Sequence, residues 1–370
     1  EVTIADTGEY KIHHLEPMHW WVGMNNPELQ LMVHGPAIAN LKPHVSYPGV
    51  SIKTLERTTN NNYVFINLHV ASNTKPGVME LQFSDNRGVQ LRVPYELQMR
   101  RAGSAQRNSF SAKDVVYLIT PDRFANGDPS NDSHKAMLET ANRSSPIGRH
   151  GGDIKGIEKH LDYIARMGFT MIWPTPMIEN NQPEYSYHGY SPTNLYRMDP
   201  RMGSNEDYKN LVAAARQKGL GFIQDIVLNH IGTGHWWMQD LPADDWLNFQ
   251  SGFVPTNNQH TTVLDIHAAP EDVKQFTDGW FVETMPDLNQ RNPLLARYLI
   301  QNTIWWIEYA DLSGIREDTY AYSDKEFLAR WSKAVLEEYP NLNIVGEEMN
   351  SNPHILAYWQ KGVTNRDGYV

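Results

Sequence analysis

From Asp114 onward the chain alternates short apolar runs with helical stretches, and this alternation restricts the fold more than any other feature. VVYLIT is followed by IKGIEKHLDYIARMG, and FTMIWPTP by NEDYKNLVAAARQKG. LGFIQDIVLNH precedes NPLLARYLIQNTIWWIEYA, LSGIREDT precedes DKEFLARWSKAVLEEYP, and LNIVGEE comes last. Short apolar runs between turns read as buried strands, and the longer stretches carry helical spacing. Strand–helix repeats of this kind make a parallel sheet with right-handed crossovers. Counting from Asp114 gives about five βα units.

The region before Asp114 is built differently. YVFINLHV, GVMELQF and GVQLRVPYELQM are β-branched or aromatic and partly alternating, with turn clusters TTNNN and SDNRG between them. Residues 1–100 therefore read as an all-β sandwich, immunoglobulin-like in architecture. Residues 101–113 read as a polar, irregular linker, and 114–370 as the α/β domain. Between about 231 and 286 the alternation lapses into polar, aromatic, weakly periodic sequence. A stretch that long inside a compact domain is functional or forms a small inserted domain.

The formal charge of −11 disfavours nucleic acid and anionic membranes as partners and suits a neutral substrate. Eleven Trp and eighteen Tyr supply aromatic faces of the kind on which sugar rings stack. With no Cys there is no disulfide or thiolate metal site. No run reaches the roughly 18 to 20 apolar residues of a membrane span. A start at Glu1 leads us to expect an exported, periplasmic or secreted mature protein with its leader removed, a cytoplasmic one being the alternative.

Three strings place polar groups at strand ends. DIVLNH carries Asp225, Asn229 and His230; GIREDT carries Arg316 and Asp318; VGEE carries Glu347. Alternation along a strand puts Arg316 and Asp318 on one side. A guanidinium beside a carboxylate is expected to lower its pKa and keep it ionised. Glu347 ends the next strand, and neighbouring strands lie about 4.8 Å apart. That spacing suits the pair of carboxyls, about 5 Å apart, that a retaining glycosidase needs. A buried structural ion pair is the alternative reading of any one string.

These strings resemble the conserved regions of the α-amylase family of glycoside hydrolases. The resemblance implies a (β/α)₈ TIM barrel with its site at the C-terminal ends of the strands. It implies Asp318 as nucleophile, Glu347 as general acid/base in preference to Glu348, and Arg316 as the group that orients Asp318. Asn229 and His230 would support and bind the sugar, and Asp225 would organise the strand end. YHGYSPTNLYRMDPRMGS resembles the family segment after the second barrel strand, which implies a hydrogen bond to sugar from His188 and stacking by Tyr190. PMHWWVGMNNPELQLMVHG resembles the N-terminal sandwich of cyclomaltodextrinases and neopullulanases, with Trp20 and Trp21 either glycan-facing or core. MPDLN resembles that branch's marker, with Asp287 where Lys is usual, as in an oligo-1,6-glucosidase version. The excursion after His230 would be the family's inserted domain, with Trp236, Trp237 and Trp246 as candidates for the leaving-group side of the cleft, or as core.

DRFANGDPSNDS and the later GGD resemble a calcium-binding loop of related barrels. The implied ligands are Asn126, Asp128, Asn131, Asp132, the Gly151 carbonyl and Asp153, for a structural ion. A solvated Asn/Asp turn is the alternative.

The sequence departs from the family in two ways. The fourth conserved region, with the third carboxylate, is not found before Val370, and five strands cannot close an eight-strand barrel. We therefore expect an N-terminal part of a longer enzyme, inactive by itself. Tyr322 stands where many relatives carry Lys or His, which implies a different leaving-group subsite. The expected activity is retaining hydrolysis of α-1,4-glucans: cyclomaltodextrins, maltooligosaccharides and pullulan. A non-catalytic α-glucan binder, or an α-1,6-cleaving or isomerising relative, is the alternative. Some relatives pair through the sandwich, so a homodimer is possible by analogy.

Overall fold

The computed structural model describes residues 4–369; Glu1 and Val370, on which the expectations about a leader and a continuation turn, lie outside them. Two four-stranded sheets form the N-terminal domain. One is ordered His19–Val22, Gly88–Met99, Gly77–Asp85, Lys42–Val45; the other is His14–Glu16, Glu28–His34, Tyr63–Val70, Val50–Glu56. Gly88–Met99 alternates exposed and buried residues, as a strand with one solvated face must. Tyr63–Val70 is buried almost throughout.

The expected strands of the second domain form one parallel sheet in sequence order. They are β1 (Val116–Ile119), β2 (Met171–Pro174), β3 (Gly221–Ile226), β4 (Gly314–Glu317) and β5 (Ile344–Gly346). The connecting helices start where the caps say they should. Ser204 and Asp207 make a reciprocal capping box for Asn205–Gln217. Asn292 accepts from two backbone N–H groups of Pro293–Ala310, and Asp324 caps Lys325–Glu338. The first expected helix is split into Ile154–Lys159 and Leu161–Arg166, and His160 at the break bonds back to the Gly156 carbonyl at 2.7 Å.

β1 was expected to be a buried strand, yet Val116 is 38 % and Leu118 53 % exposed. β1 is an edge of the five-stranded sheet, so its side chains have described neighbours on one side only. β5 is the other edge, and Val345 is correspondingly 43 % exposed.

Pro293–Ala310 is buried on nearly every face because it lies between the sheet and the sandwich. Gln30 and Gln301 exchange two 2.7 Å hydrogen bonds across that junction. Tyr298 Oη donates to Glu16 at 2.6 Å. Trp20 and Trp21 are core residues, and the ring of Trp21 lies 6.4 Å from that of Trp305. Residues 101–113 are irregular as expected but are not a free linker. Arg107 is buried and donates to the carbonyls of Ile307 and Leu312, and Ser104 donates to Glu308 at 2.6 Å. Hydrogen bonds to the C-terminal turn of Pro293–Ala310 hold this polar segment in place.

The inserted segment contains two 3₁₀ turns, Trp236–Gln239 and His260–Val263, and one helix, Pro270–Asp278. Among the described residues no helix is long and apolar enough to cross a membrane.

Candidate active site

Register places the polar groups together. In the β3–β4 pairing Asp225 lies opposite Arg316, and in the β4–β5 pairing Arg316 lies opposite Val345. Beyond the strands, Asp318 N donates to Ile226 O at 2.9 Å and Glu347 N to Glu317 O at 3.0 Å. The ladder thus continues just far enough to bring both acids to the C-terminal end of the sheet. Gly346 precedes Glu347 because a β-carbon there would come within 2.6 Å of the Tyr320 ring.

Arg316 is the hub. Its Nη1 donates to Asp225 Oδ1 at 2.8 Å and to Asp318 Oδ1 at 2.7 Å. Its Nη2 lies 2.8 Å from Glu347 Oε2, which also accepts from Thr319 N at 2.9 Å. One guanidinium therefore holds three carboxylates, two of them at its opposite ends. Of the two adjacent glutamates, Glu347 shares Arg316 with Asp318, whereas Glu348 points away and is bound elsewhere.

Asp225 is further fixed on its other oxygen by Trp173 Nε1 at 2.9 Å and Tyr190 Oη at 3.0 Å. The Arg316 guanidinium lies 5.4 Å from the Trp173 ring and 5.7 Å from that of Tyr190, within cation–π range. Trp173 is a site residue that sequence reasoning missed, since a Trp inside an apolar run looks like core.

His188 Nδ1 accepts from Tyr190 N at 2.8 Å, which leaves its proton on Nε2, free to donate. His230 Nε2 faces the Tyr190 carbonyl at 2.8 Å, so it carries the proton, and its buried Nδ1 has no partner. Burial lowers both rings to a pKa of about 4, so both are neutral at ordinary pH. Asn229 is buried; its Nδ2 donates to Asp287 at 2.8 Å and its Oδ1 accepts from Ser323 at 3.3 Å. The structure gives Asn229 the supporting part of its expected role and no open side for a sugar.

The expectation that Arg316 keeps Asp318 below the usual range needs correction. Burial raises the Asp318 pKa, Asp225 and Glu347 add to the rise, and Arg316 only opposes it. Asp225 is pushed up to about 6, again by burial first and against Arg316. Three carboxylates share a single guanidinium, so no one of them receives its full effect.

Trp236 and Trp237 do not line the leaving-group side. Trp237 is 0 % exposed and packs against Trp246 and Tyr298. Trp236 stacks on His14 of the sandwich at 3.7 Å. Trp236 seats the inserted segment on the N-terminal domain, and Trp237 seats it on Pro293–Ala310. Asp287 is sealed in as well, so it touches no substrate directly. Tyr322 is tied to Asn258 and His260 of the inserted segment, both at 3.0 Å.

The implied calcium loop fits an oxygen-loving ion in part. Asn126 and Asn131 each bury a side-chain oxygen with no partner, which is uncommon unless something absent satisfies it. Gly151 has φ +84°, and a β-carbon there would lie 2.6 Å from Asp132 Oδ1, so the Asp132 carboxylate is packed directly on this glycine. Asp153 departs from the expected ligand role: its carboxylate already accepts from Gly127, Asp128 and Gly156 N–H groups at 2.9, 2.8 and 2.6 Å. Among the described residues no group of three or more His, Asp or Glu is arranged to hold a metal, so amide and carbonyl oxygens would have to complete a site beside Asp128 and Asp132.

Comparison with known proteins identifies both domains. The alpha-amylase catalytic domain matches residues 118–368, and the cyclomaltodextrinase N-terminal domain matches residues 14–101. The chain is 32 % identical over 260 residues to a Beta/alpha-amylase of Paenibacillus polymyxa, covering 66 % of this chain and 19 % of that protein. It is 31 % identical over 236 residues to a cyclomaltodextrinase of Geobacillus thermopakistaniensis, covering 64 % of this chain and 38 % of the relative. An Anoxybacillus alpha-amylase structure superposes with a TM-score of 0.57 at 32 % identity, over 66 % of this chain and 49 % of that one. The chain thus spans half or less of the length of each of these relatives. It belongs to the alpha-amylase family of glycosidases, with an all-β cyclomaltodextrinase-type domain ahead of five strands of a TIM-barrel catalytic domain.

Proposed function

We propose that these residues serve retaining hydrolysis of α-1,4-glucans, of the cyclomaltodextrinase and neopullulanase type. The observation that carries the reading is the pair Asp318 and Glu347 on the two ends of Arg316. A binding protein has no need of two carboxylates so placed, whereas a double displacement does.

Glu347 gives its proton to the glycosidic oxygen while an Asp318 carboxylate oxygen attacks the anomeric carbon. The C1–O bond breaks, its electron pair stays with the leaving oxygen, and a glycosyl ester forms on Asp318. Glu347, now ionised, takes a proton from water as the water oxygen attacks the same carbon. The ester bond breaks and both acids return to their starting states. Arg316 keeps Asp318 aimed, and the neutral His188 offers its Nε2–H to a sugar hydroxyl. Cyclomaltodextrins, maltooligosaccharides and pullulan are the substrate class this reading names.

Calcium, where bound, would be held by Asn126, Asn131, Asp128, Asp132 and the Gly151 carbonyl, and would supply order in the loop after β1. It takes no part in the steps above.

A slow-reacting 2-deoxy-2-fluoro maltosyl fluoride tests the reading. Labelling of a peptide containing Asp318, lost in Asp318→Asn, is expected. Labelling of any other carboxylate refutes the assignment.

A further inference from the structure

Glu347 and Glu348 are adjacent but bound to different parts of the molecule. The Glu348 side chain is 6 % exposed. Its Oε1 lies 2.6 Å from His260 Nδ1, and its Oε2 accepts from Trp359 Nε1 at 3.0 Å. Both oxygens are thus fixed, on opposite sides. His260 belongs to the inserted segment, and its second nitrogen, Nε2, meets Tyr322 Oη at 3.0 Å. Tyr322 follows Asp318 in the turn after β4 and donates onward to Asn258 Oδ1 at 3.0 Å. Phe276 stacks on the Tyr322 ring at 4.4 Å, and Phe281 meets it edge-on at 4.7 Å.

One histidine therefore bridges the two turns that carry the acids. On one side it holds the turn with Asp318, on the other the residue joined by a peptide bond to Glu347. With both Glu348 oxygens anchored, the Glu347–Glu348 peptide has little room to rotate. The Glu347 backbone is already pinned to Glu317 O. A residue that first gives and then takes a proton must keep its place to within a fraction of an ångström.

We propose that His260 and Glu348 are positioning residues: through them the inserted segment sets the aim of Glu347 relative to Asp318. This rests on the hydrolase reading above. Neither residue shares Arg316, so neither has a part in the proton transfers themselves.

The test compares two substrates on the full-length enzyme. Maltotetraose needs its leaving oxygen protonated; α-maltosyl fluoride loses fluoride without a proton, and kcat/KM reports the first displacement in both cases. Replacing His260 by Ala, or Glu348 by Leu, is expected to lower kcat/KM on maltotetraose about 100-fold, the cost of misplacing a catalytic group by about 1 Å. The same variants should leave kcat/KM on the fluoride essentially unchanged. Glu348→Gln, which keeps the shape and one acceptor oxygen, should restore most of the loss. If the two substrates fall together, or neither falls, His260 and Glu348 only fasten the inserted segment and the inference is wrong. A full-length parent enzyme that turns over neither substrate overturns the hydrolase reading, and this inference with it. Asp318→Asn must abolish both activities in a parent that has them.

Discussion

Asp287 Oδ1 accepts a 2.8 Å hydrogen bond from Asn229 Nδ2, behind a surface that leaves the carboxylate 1 % exposed. Asn248 Nδ2 meets the other oxygen, also at 2.8 Å. Two amides from different parts of the chain converge on a buried acid, so the return of the inserted segment is fastened to the end of β3. Burial holds this carboxyl well above the usual range. Replacing Asp287 by Ala leaves two buried donors unpaired, which costs about 2–4 kcal/mol. Urea unfolding measures it, and a loss below about 1 kcal/mol would mean the amides find other partners.

The acid limb of kcat/KM should lie above the ordinary Asp value of about 4. Asp318 must be ionised to attack, and its burial makes ionisation harder. Activity therefore rises as pH climbs through a raised pKa. Asp225→Asn removes a negative charge that favours the neutral form, so its normalised profile should move to lower pH by on the order of one unit. A shift to higher pH would show that Asp225 acts on Asp318 mainly by sharing Arg316.

His230 stays neutral down to about pH 4 in the folded chain, whereas an unfolded His titrates near 6.5. Between those values the unfolded state binds the additional proton, so stability drops as pH falls through the window. The contribution of this ring is roughly 3 kcal/mol at the low end. Ring nitrogen shifts followed by NMR from pH 8 to 5 should not move for His230; titration near 6.5 contradicts its burial.

If Asn126 and Asn131 hold calcium, the ion at 100 times its Kd adds about 2.7 kcal/mol to stability. A chelator should then lower the melting temperature, and added calcium should restore it. Asn126→Ala and Asn131→Ala should each abolish the calcium response. A response that survives both substitutions places the ion elsewhere.

Trp237→Ala should cost about 3–5 kcal/mol, the usual loss for a buried large aromatic. Because the ring contacts Trp246 and Tyr298 rather than the acids, KM for maltotetraose should change little under conditions where the variant is folded. A large rise in KM with unchanged stability would return this Trp to the cleft.

Residues that act at a strand end were legible because two periodicities agree on them. Arg316 and Asp318 alternate correctly, and the helix–strand rhythm puts Asp225 and Glu347 on the flanking strands. Loop residues carry no such rhythm. Nothing in HWWMQD distinguishes a tryptophan that meets sugar from one that meets the sandwich, and Trp236 in fact meets His14. Trp173 and His260 were invisible for the same reason: their partners, Asp225 and Glu348, lie far away in the chain. The direction of the Asp318 pKa also needed coordinates, since neighbour identity fixes the sign of each influence but only burial decides which prevails.

Among its attachments, the inserted segment has one on the sandwich and one beside the acid pair. At one, Asp240 meets Asn60, Asn62 and His34 of the sandwich at 2.6, 2.8 and 3.0 Å, beside the Trp236–His14 stack. At the other, His260 meets Glu348. Such a piece behaves as a beam fixed at both ends rather than as a lid on a hinge. A displacement of the sandwich is a load on one support, and the reaction appears at the other, next to Glu347. The N-terminal domain is in that sense part of the mounting of the acid pair, and its removal would disturb the alignment of groups it never touches.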